Sequence, residues 1–402
     1  MSSRASSVQS RQRKALLSAA ALTTAFTATA VTAVSATSAS ANAIRSAARV
    51  ASKSKPKPQP PSPPVTSEVP PKGNVSLYEE GSTLLYPLFQ LWAPAYHKQY
   101  SNITVNPAGG GSGKGISDAA SGIVDIGASD AYLSSSQLSQ YPGVKNIALA
   151  ISAQMINYNI PGLSGSVHLK LSGSVISQIY QGKITTWNDP AITALNPGVT
   201  LPADKIVALH RSDSSGDTFI FSTYLTDSDP NGWGSSIGYG TSISFPSISN
   251  ALAETGNGGM VTGCQATPGC IAYIGISYQS ETQKAGLGMA ELQNASGRFE
   301  VPVAPSIVAE AQALENKTPA DEALSLVDDN ASNGYPIINY EYAIIPPHEP
   351  SNQKAAAVKA FLYWATDPKQ GSSPAFLNQV GFQPLPASVL VLTDKQIASI
   401  AG

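Results

Sequence analysis

Three times along this chain a turn or a short apolar run gives way to a cluster of Gly, Ser and Thr, and a segment of helical spacing follows at once. The clusters are Gly81-Ser82-Thr83, Gly111-Ser112-Gly113 and Ser215-Gly216-Asp217. Strand, turn and helix in repeated alternation point to an α/β architecture. The same pattern constrains the chemistry. A helix N-terminus presents unpaired backbone N–H groups and about half a positive charge, which makes it an anion site. One such cluster is an ordinary N-cap. Three in one chain, with Arg211 beside the third, point to a shared tetrahedral oxyanion.

Around the clusters, Leu84, Leu85, Leu88, Trp92, Ala95 and Tyr96 recur at helical spacing, residues 103–105 read as a strand, and GGGSGKG reads as a loop before a short helix over 116–120. A strand over 123–127 ends in Ala128-Ser129-Asp130. A strand over 205–209 leads to a helix over 218–225, and 355–365 has helical spacing. The Gly- and Ser-rich stretch 226–278 reads as largely loop.

Composition narrows the function classes. With 402 residues and 42% hydrophobic content the chain can bury a sizeable core, while its 12% charged residues, against about 25% in ordinary proteins, exclude a coiled coil or a disordered polyelectrolyte. Ten of the 24 basic residues and one of the 26 acidic residues lie before Gly73, so the remainder carries a net charge of −11. Such a body has no field to attract nucleic acid or acidic lipid; an anion must be held by local dipoles and a few placed side chains.

Arg4, Arg11, Arg13 and Lys14 precede a weakly apolar stretch over 15–34 and small residues ending in Ala41-Asn42-Ala43. This predicts a signal peptide over 1–43 that is cleaved before Ile44. An uncleaved anchor is the alternative, disfavoured by five threonines in the stretch. Residues 44–73 read as a spacer whose prolines favour polyproline II. The only cysteines, Cys264 and Cys270, are expected to form a disulfide in an exported chain. The four histidines are scattered, so neither a metal nor a cofactor is expected.

Two motifs are decoys. AGGGSGKG resembles a phosphate-binding loop of nucleotide hydrolases, but Ala108 replaces the first Gly and Gly115 stands where the magnesium-binding hydroxyl belongs. No G-x-S-x-G elbow surrounds Ser112 or Ser215. Asp130 is more informative. A carboxylate repels an anion unless that anion carries a proton, in which case it accepts a charge-assisted hydrogen bond. Sulfate has no proton to give at neutral pH, so one Asp separates two ions of nearly equal shape. Taken alone, an Asp after a strand is a turn or cap residue.

The strings GSTLLYPLFQLWAPAY, GGGSGKG, VDIGASDAYLS and HRSDSSGDTFIFSTYL, in this order and spacing, resemble the substrate-binding protein of the high-affinity phosphate ABC transporter. GNGGMVTGCQATPGCIAYIGIS and NGYPIINYEYAII look like its actinobacterial branch. The resemblance implies a two-lobed α/β fold of the periplasmic-binding-protein type, with two hinge crossovers, near 150–157 and 335–345, and a central cleft. Lobe I would comprise 74–153 and 337–402, and lobe II 154–336. It further implies phosphate held by Thr83, Leu84, Ser112, Asp130, Arg211, Ser215, Gly216 and Asp217, with Asp213 orienting Arg211. Asp217 stands where many members have Thr; it either accepts from a doubly protonated ligand or pairs with Arg211. Residues 1–72 contain no Cys, so the lipid anchor usual in that branch is excluded. The chain is then released, held by an uncleaved anchor, or retained by its Lys/Pro-rich segment.

The expectation is therefore a non-enzymatic, monomeric exported protein of the cell envelope that binds inorganic phosphate and passes it to membrane permease subunits. The competing readings are an exported phosphatase or phosphotransferase, a binder of another oxyanion such as sulfate or a phosphonate, and a surface adhesin with a vestigial site.

Overall fold

The computed structural model describes residues 68–328 and 331–402. The signal peptide and most of the spacer expected before Gly73 lie outside the described residues. The end of that spacer is tied to the body. Asn102 Nδ2 donates to the carbonyls of Pro71 (2.9 Å) and Gly73 (2.7 Å), and Gln353 Nε2 donates to that of Lys72 (3.0 Å). Among the described residues no helix is long and apolar enough to cross a membrane.

Twelve strands are present among the described residues: β1 Val75–Gly81, β2 Ile103–Gly109, β3 Ile126–Ser129, β4 Lys145–Asn159, β5 Lys170–Leu171, β6 Val207–Arg211, β7 Ala251–Glu254, β8 Cys270–Gly275, β9 Gly288–Met289, β10 Glu291–Gln293, β11 Phe299–Glu300 and β12 Ile338–Ile345. One mixed sheet runs β2-β1-β3-β12-β4-β8-β6-β7 with β9 beside β4, and β11-β10-β5 form a small second sheet. The parallel set β2-β1-β3 and the parallel set β8-β6-β7 are separate. They are joined by β4, whose residues 145–153 pair with β12 and 154–159 with β8. The chain thus leaves one set along β4 and returns along β12. Where the two crossings meet, Gln154 N–H donates to the Ile337 carbonyl at 3.0 Å. This is the expected two-lobed α/β arrangement.

Seven helices have nine or more residues among those described: α1 Tyr86–Gln99, α2 Ser112–Ala120, α3 Gly216–Ser228, α4 Gly256–Ala266, α5 Ala304–Leu314, α6 Asn352–Thr366 and α7 Ala387–Ala398. In α1, Leu88, Phe89, Trp92, Ala93 and Tyr96 form the buried stripe. Its rings meet α6 edge-on, Tyr96 to Phe361 at 5.1 Å and Trp92 to Phe361 at 6.3 Å between centroids. Each such pair adds about 0.5–1.5 kcal/mol beyond its buried area. The helix starts at Tyr86, two residues later than the spacing suggests. Ser82 Oγ accepts from the N–H groups of Leu84 (3.0 Å) and Leu85 (2.9 Å) and holds both leucines in a buried turn.

Two glycine-rich stretches are more regular than their composition predicts. The expected loop GGGSGKG is already helical from Ser112. A Cβ on Gly115 would lie 2.5 Å from the Ala128 carbonyl oxygen and 2.6 Å from that of Glu80, so this glycine serves the close approach of α2 to the sheet. Within 226–278, residues 238–250 hold no helix or strand, but β7, α4 and β8 follow. Cys264 of α4 and Cys270 of β8 form the expected disulfide, both sulfurs buried and the Cα atoms 5.3 Å apart.

Several carboxyls are buried in this core. Glu322 Oε2 accepts from Ala148 N–H at 3.1 Å and Oε1 from Thr393 Oγ1, and burial pushes its pKa up to about 8. Burial and the neighbouring Asp125 push Glu349 up to about 8 as well. A carboxyl whose pKa is raised on folding stabilises fully below its unfolded value, near 4.5, and that contribution is lost as pH rises through the folded value. Thermal unfolding temperature is therefore expected to fall between pH 4.5 and 8. The slope should flatten in Glu322→Gln and Glu349→Gln; an unchanged slope in both variants would refute this.

Candidate functional site

The predicted site residues meet in one crevice, built from the turns that follow β1, β2, β3, β6 and β7. Asp130 follows β3 directly and is 1% exposed. Its Oδ1 accepts from Ser82 Oγ, in the turn after β1, and its Oδ2 from Ser112 Oγ, at the start of α2, at 3.2 Å. Gly216, the first residue of α3, faces this pair. A Cβ there would lie 2.5 Å from Asp130 Oδ2 and 2.6 Å from Ser112 Oγ, so only glycine lets that helix end come so near. Gly113 N–H donates across the crevice to the Ser214 carbonyl at 3.0 Å.

Arg211, the last residue of β6, is 5% exposed. Its Nε donates to Asp213 Oδ1 at 2.7 Å, its Nη2 to Asp213 Oδ2, and its Nη1 to Asp217 Oδ2 at 2.5 Å. Its N–H donates to Tyr273 Oη at 2.9 Å. Ser215 caps α3, accepting from Thr218 N–H at 3.4 Å. The N–H groups of Gly216 and Asp217 fall in the first helical turn, where no intrahelical acceptor exists.

Asp217 has further partners. Its Oδ1 accepts from Gln154 Nε2 at 3.1 Å and its Oδ2 from Asn257 Nδ2 at 2.8 Å. Asn257 also donates through both its backbone N–H and its side-chain amide to Thr83 Oγ1, each at 3.1 Å. Neither contact uses the hydroxyl hydrogen of Thr83. The Leu84 N–H, predicted as a ligand donor, donates to Ser82 Oγ here.

The electrostatics differ sharply among the three aspartates. Burial, then the charge of Asp217, push Asp130 up to about 7, against the opposing pull of the Ser82 hydroxyl, Glu341 and Arg211. Burial also raises Asp217, restrained by Arg211, Asn257 and Gln154. Burial works against the charge of Asp213 too, but the Arg211 guanidinium and the Gly256 N–H hold it below the usual carboxylate range. The two aspartates in turn outweigh the burial of Arg211 and raise its pKa. The crevice therefore holds a fixed cation between two carboxylates, with a third carboxylate of near-neutral proton affinity at the helix ends. Such an arrangement can bind an anion that brings a proton. Among the described residues no group of three His, Cys, Asp or Glu could hold a metal ion.

A family model described as a PBP superfamily domain matches residues 58–369. The phosphate-binding protein PstS of Methanocaldococcus jannaschii is 32% identical, over 82% of this chain and 86% of its own length. The chain belongs to the PstS family of the PBP superfamily. The phosphate-binding protein PstS 3 of Mycobacterium leprae is 31% identical over 81% of this chain and 87% of its own, so identity does not single out the actinobacterial branch of the PstS family. The crystal structure of a phosphate binding protein from Stenotrophomonas maltophilia shares the fold, with a TM-score of 0.63 and 20% identity over 82% of this chain and 94% of that one.

Four residues of this PstS-family crevice escape a reading by local pattern. Ser82 stands beside Thr83 in the first cluster and looks like its equal until the structure aims its hydroxyl at Asp130. Asn257 and Glu341 lie in strings that carry the family resemblance, without a local cue to their task. Gln154 is one of the few polar side chains in the long buried strand β4, which is its only signal.

Proposed function

We propose that this protein captures inorganic phosphate outside the cytoplasmic membrane and delivers it to the permease subunits of an ABC transporter, as a monomer and without making or breaking a bond. The observation that carries this reading is Asp130, a buried carboxylate set beside a buried guanidinium and a helix N-terminus. Its raised proton affinity suits it to share a hydrogen with an anion that titrates near neutral pH. The relatives named phosphate-binding protein PstS support phosphate as the ligand.

In this reading Thr83 and Ser215 donate hydroxyl hydrogens, Ser112 turns its hydroxyl hydrogen from Asp130 Oδ2 to the ligand, the N–H groups of Gly216 and Asp217 close the cage, and Arg211 supplies the cation. Asp217 orients Arg211 together with Asp213 and is not itself an acceptor for ligand, since its oxygens already serve Arg211, Asn257 and Gln154. Residues 74–153 with 337–402 act as one lobe and 154–336 as the other, hinged along β4 and β12.

Calorimetry on the purified protein tests the reading. At about pH 9, two pH units above the Asp130 value of about 7, phosphate is expected to bind about 100-fold more tightly than sulfate, because sulfate must then face an unpaired carboxylate or wait for its protonation, a cost of about 3 kcal/mol. Equal affinities would overturn it. A chromogenic phosphate ester should be left intact; turnover would favour the phosphatase alternative.

A further inference from the structure

A second carboxyl lies close to Asp130, on β12 where that strand pairs with the end of β3, Tyr342 opposite Ser129. Glu341 sits in the middle of β12, at the register shift between Glu341 and Tyr342 where β12 pairs with β4, and is fully buried. Its Oε1 faces Ser152 Oγ and accepts from Asn339 Nδ2 at 3.1 Å. The same Asn339 amide reaches the Asp130 carbonyl at 3.3 Å, which fastens the two carboxyl-bearing segments together. Glu341 Oε2 is buried and has no hydrogen-bond donor. An ionised carboxylate left in that state would be strongly penalised, whereas a carboxylic acid can turn its O–H toward the charge next to it.

We propose that Glu341 is a positioning residue for ligand recognition: as a neutral acid it donates to Asp130 and keeps that carboxylate ionised as a proton acceptor.

This deepens the phosphate-binding reading and rests on it. Burial and then the charge of Asp130 push the Glu341 pKa well up, while hydrogen bonding from Glu341 draws that of Asp130 down. The charged groups around the pair favour the same placement of the proton. Arg211 of β6 and Asp217 of α3 act on Asp130. Strand β4 offers Ser152 to Glu341, and α2 offers Ser112 to Asp130. The charged side chains of α2, Lys114 and Asp118, are paired with each other. Helix α5, packed on β12, carries the buried Glu310. Arg211 acts on Asp130, and none of the groups named at Glu341 is a cation, so Glu341 holds the proton and Asp130 holds the charge.

Sulfate is the probe, since it does not titrate near neutral pH. Its binding should strengthen as pH falls and Asp130 becomes protonated, with a midpoint that reports the Asp130 pKa. Glu341→Leu removes the donor and is expected to move that midpoint up by about one pH unit, the size of one hydrogen bond to an ionised group. Glu341→Gln keeps a donor amide and should leave the midpoint in place. A downward shift in either variant would mean that Glu341 is ionised, and no shift in Glu341→Leu would mean that it only packs; both overturn the proposal. If Glu341→Leu does not fold, Glu341→Gln still separates acid from carboxylate. The infrared difference between ligand-free wild type and Glu341→Gln at neutral pH should show a protonated carboxyl stretch. That measurement stands even if phosphate proves not to be the ligand, and a carboxylate band in its place would end the proposal.

Discussion

Replacing Arg211 with alanine is expected to weaken phosphate binding by about 2–5 kcal/mol, or roughly 30- to 5,000-fold, the range for removing one partner of a buried charge pair. The reason lies on both sides of the guanidinium. It is the only cation hydrogen-bonded to Asp213 and Asp217 among the described residues, and both carboxylates depend on it for their charge. Without it an incoming anion would meet three carboxyl groups and no counter-charge. Part of the loss should therefore return as pH falls, because protonating Asp217 removes one repulsive charge. Arg211→Lys keeps the charge but cannot fork to both aspartates, so its loss should be intermediate. Calorimetry on the two variants checks this. A loss below tenfold in Arg211→Ala would show that the ligand does not engage the guanidinium.

The parts of this molecule legible in the sequence are those whose information is local. The stripe from Leu88 to Tyr96 announces α1 because its period records burial on one face. The three Gly/Ser/Thr clusters announce helix ends because capping uses neighbours a few residues apart. Arg211, Asp213 and Asp217 lie within seven residues, which makes Asp217 either a ligand acceptor or a partner of Arg211 on sequence alone; the structure shows the pairing with Arg211.

What escaped notice depends on approach between distant segments. Gly216 has no side chain, and its meaning appears only when Asp130 stands opposite. The glycines of α2 and α4 read as loop formers, yet Gly115 is glycine because a Cβ there would strike the Ala128 and Glu80 carbonyls. Asn257 joins Thr83 to Asp217 across 174 and 40 residues of chain, and no periodicity records such a bond. Glu341 sits in an unbroken buried strand where hydrophobic pattern alone would place an aliphatic residue.

Asp130→Asn is expected to change which ion the crevice prefers more than how tightly it binds. In the native protein an ionised Asp130 accepts the phosphate hydrogen and faces any unprotonated ion as a bare negative charge. An asparagine amide presents a donor to sulfate and an acceptor to phosphate, so it satisfies either. Removing the repulsion should raise sulfate affinity, and replacing a charge-assisted acceptor by a neutral one should lower phosphate affinity. At about pH 9, where native Asp130 is ionised, these together should erase about 3 kcal/mol of discrimination, roughly 100-fold. The substitution also preserves the shape against which Gly216 and Ser112 pack, so the crevice should still close. A second consequence separates this account from a simple loss of charge. The rise of sulfate affinity at low pH in the native protein, which reflects protonation of Asp130, should vanish in the variant because the amide does not titrate. Competitive calorimetry with both ions across neutral pH reads the two effects at once. Retention of the native preference, or of the native pH dependence, would show that something other than Asp130 tells the two ions apart.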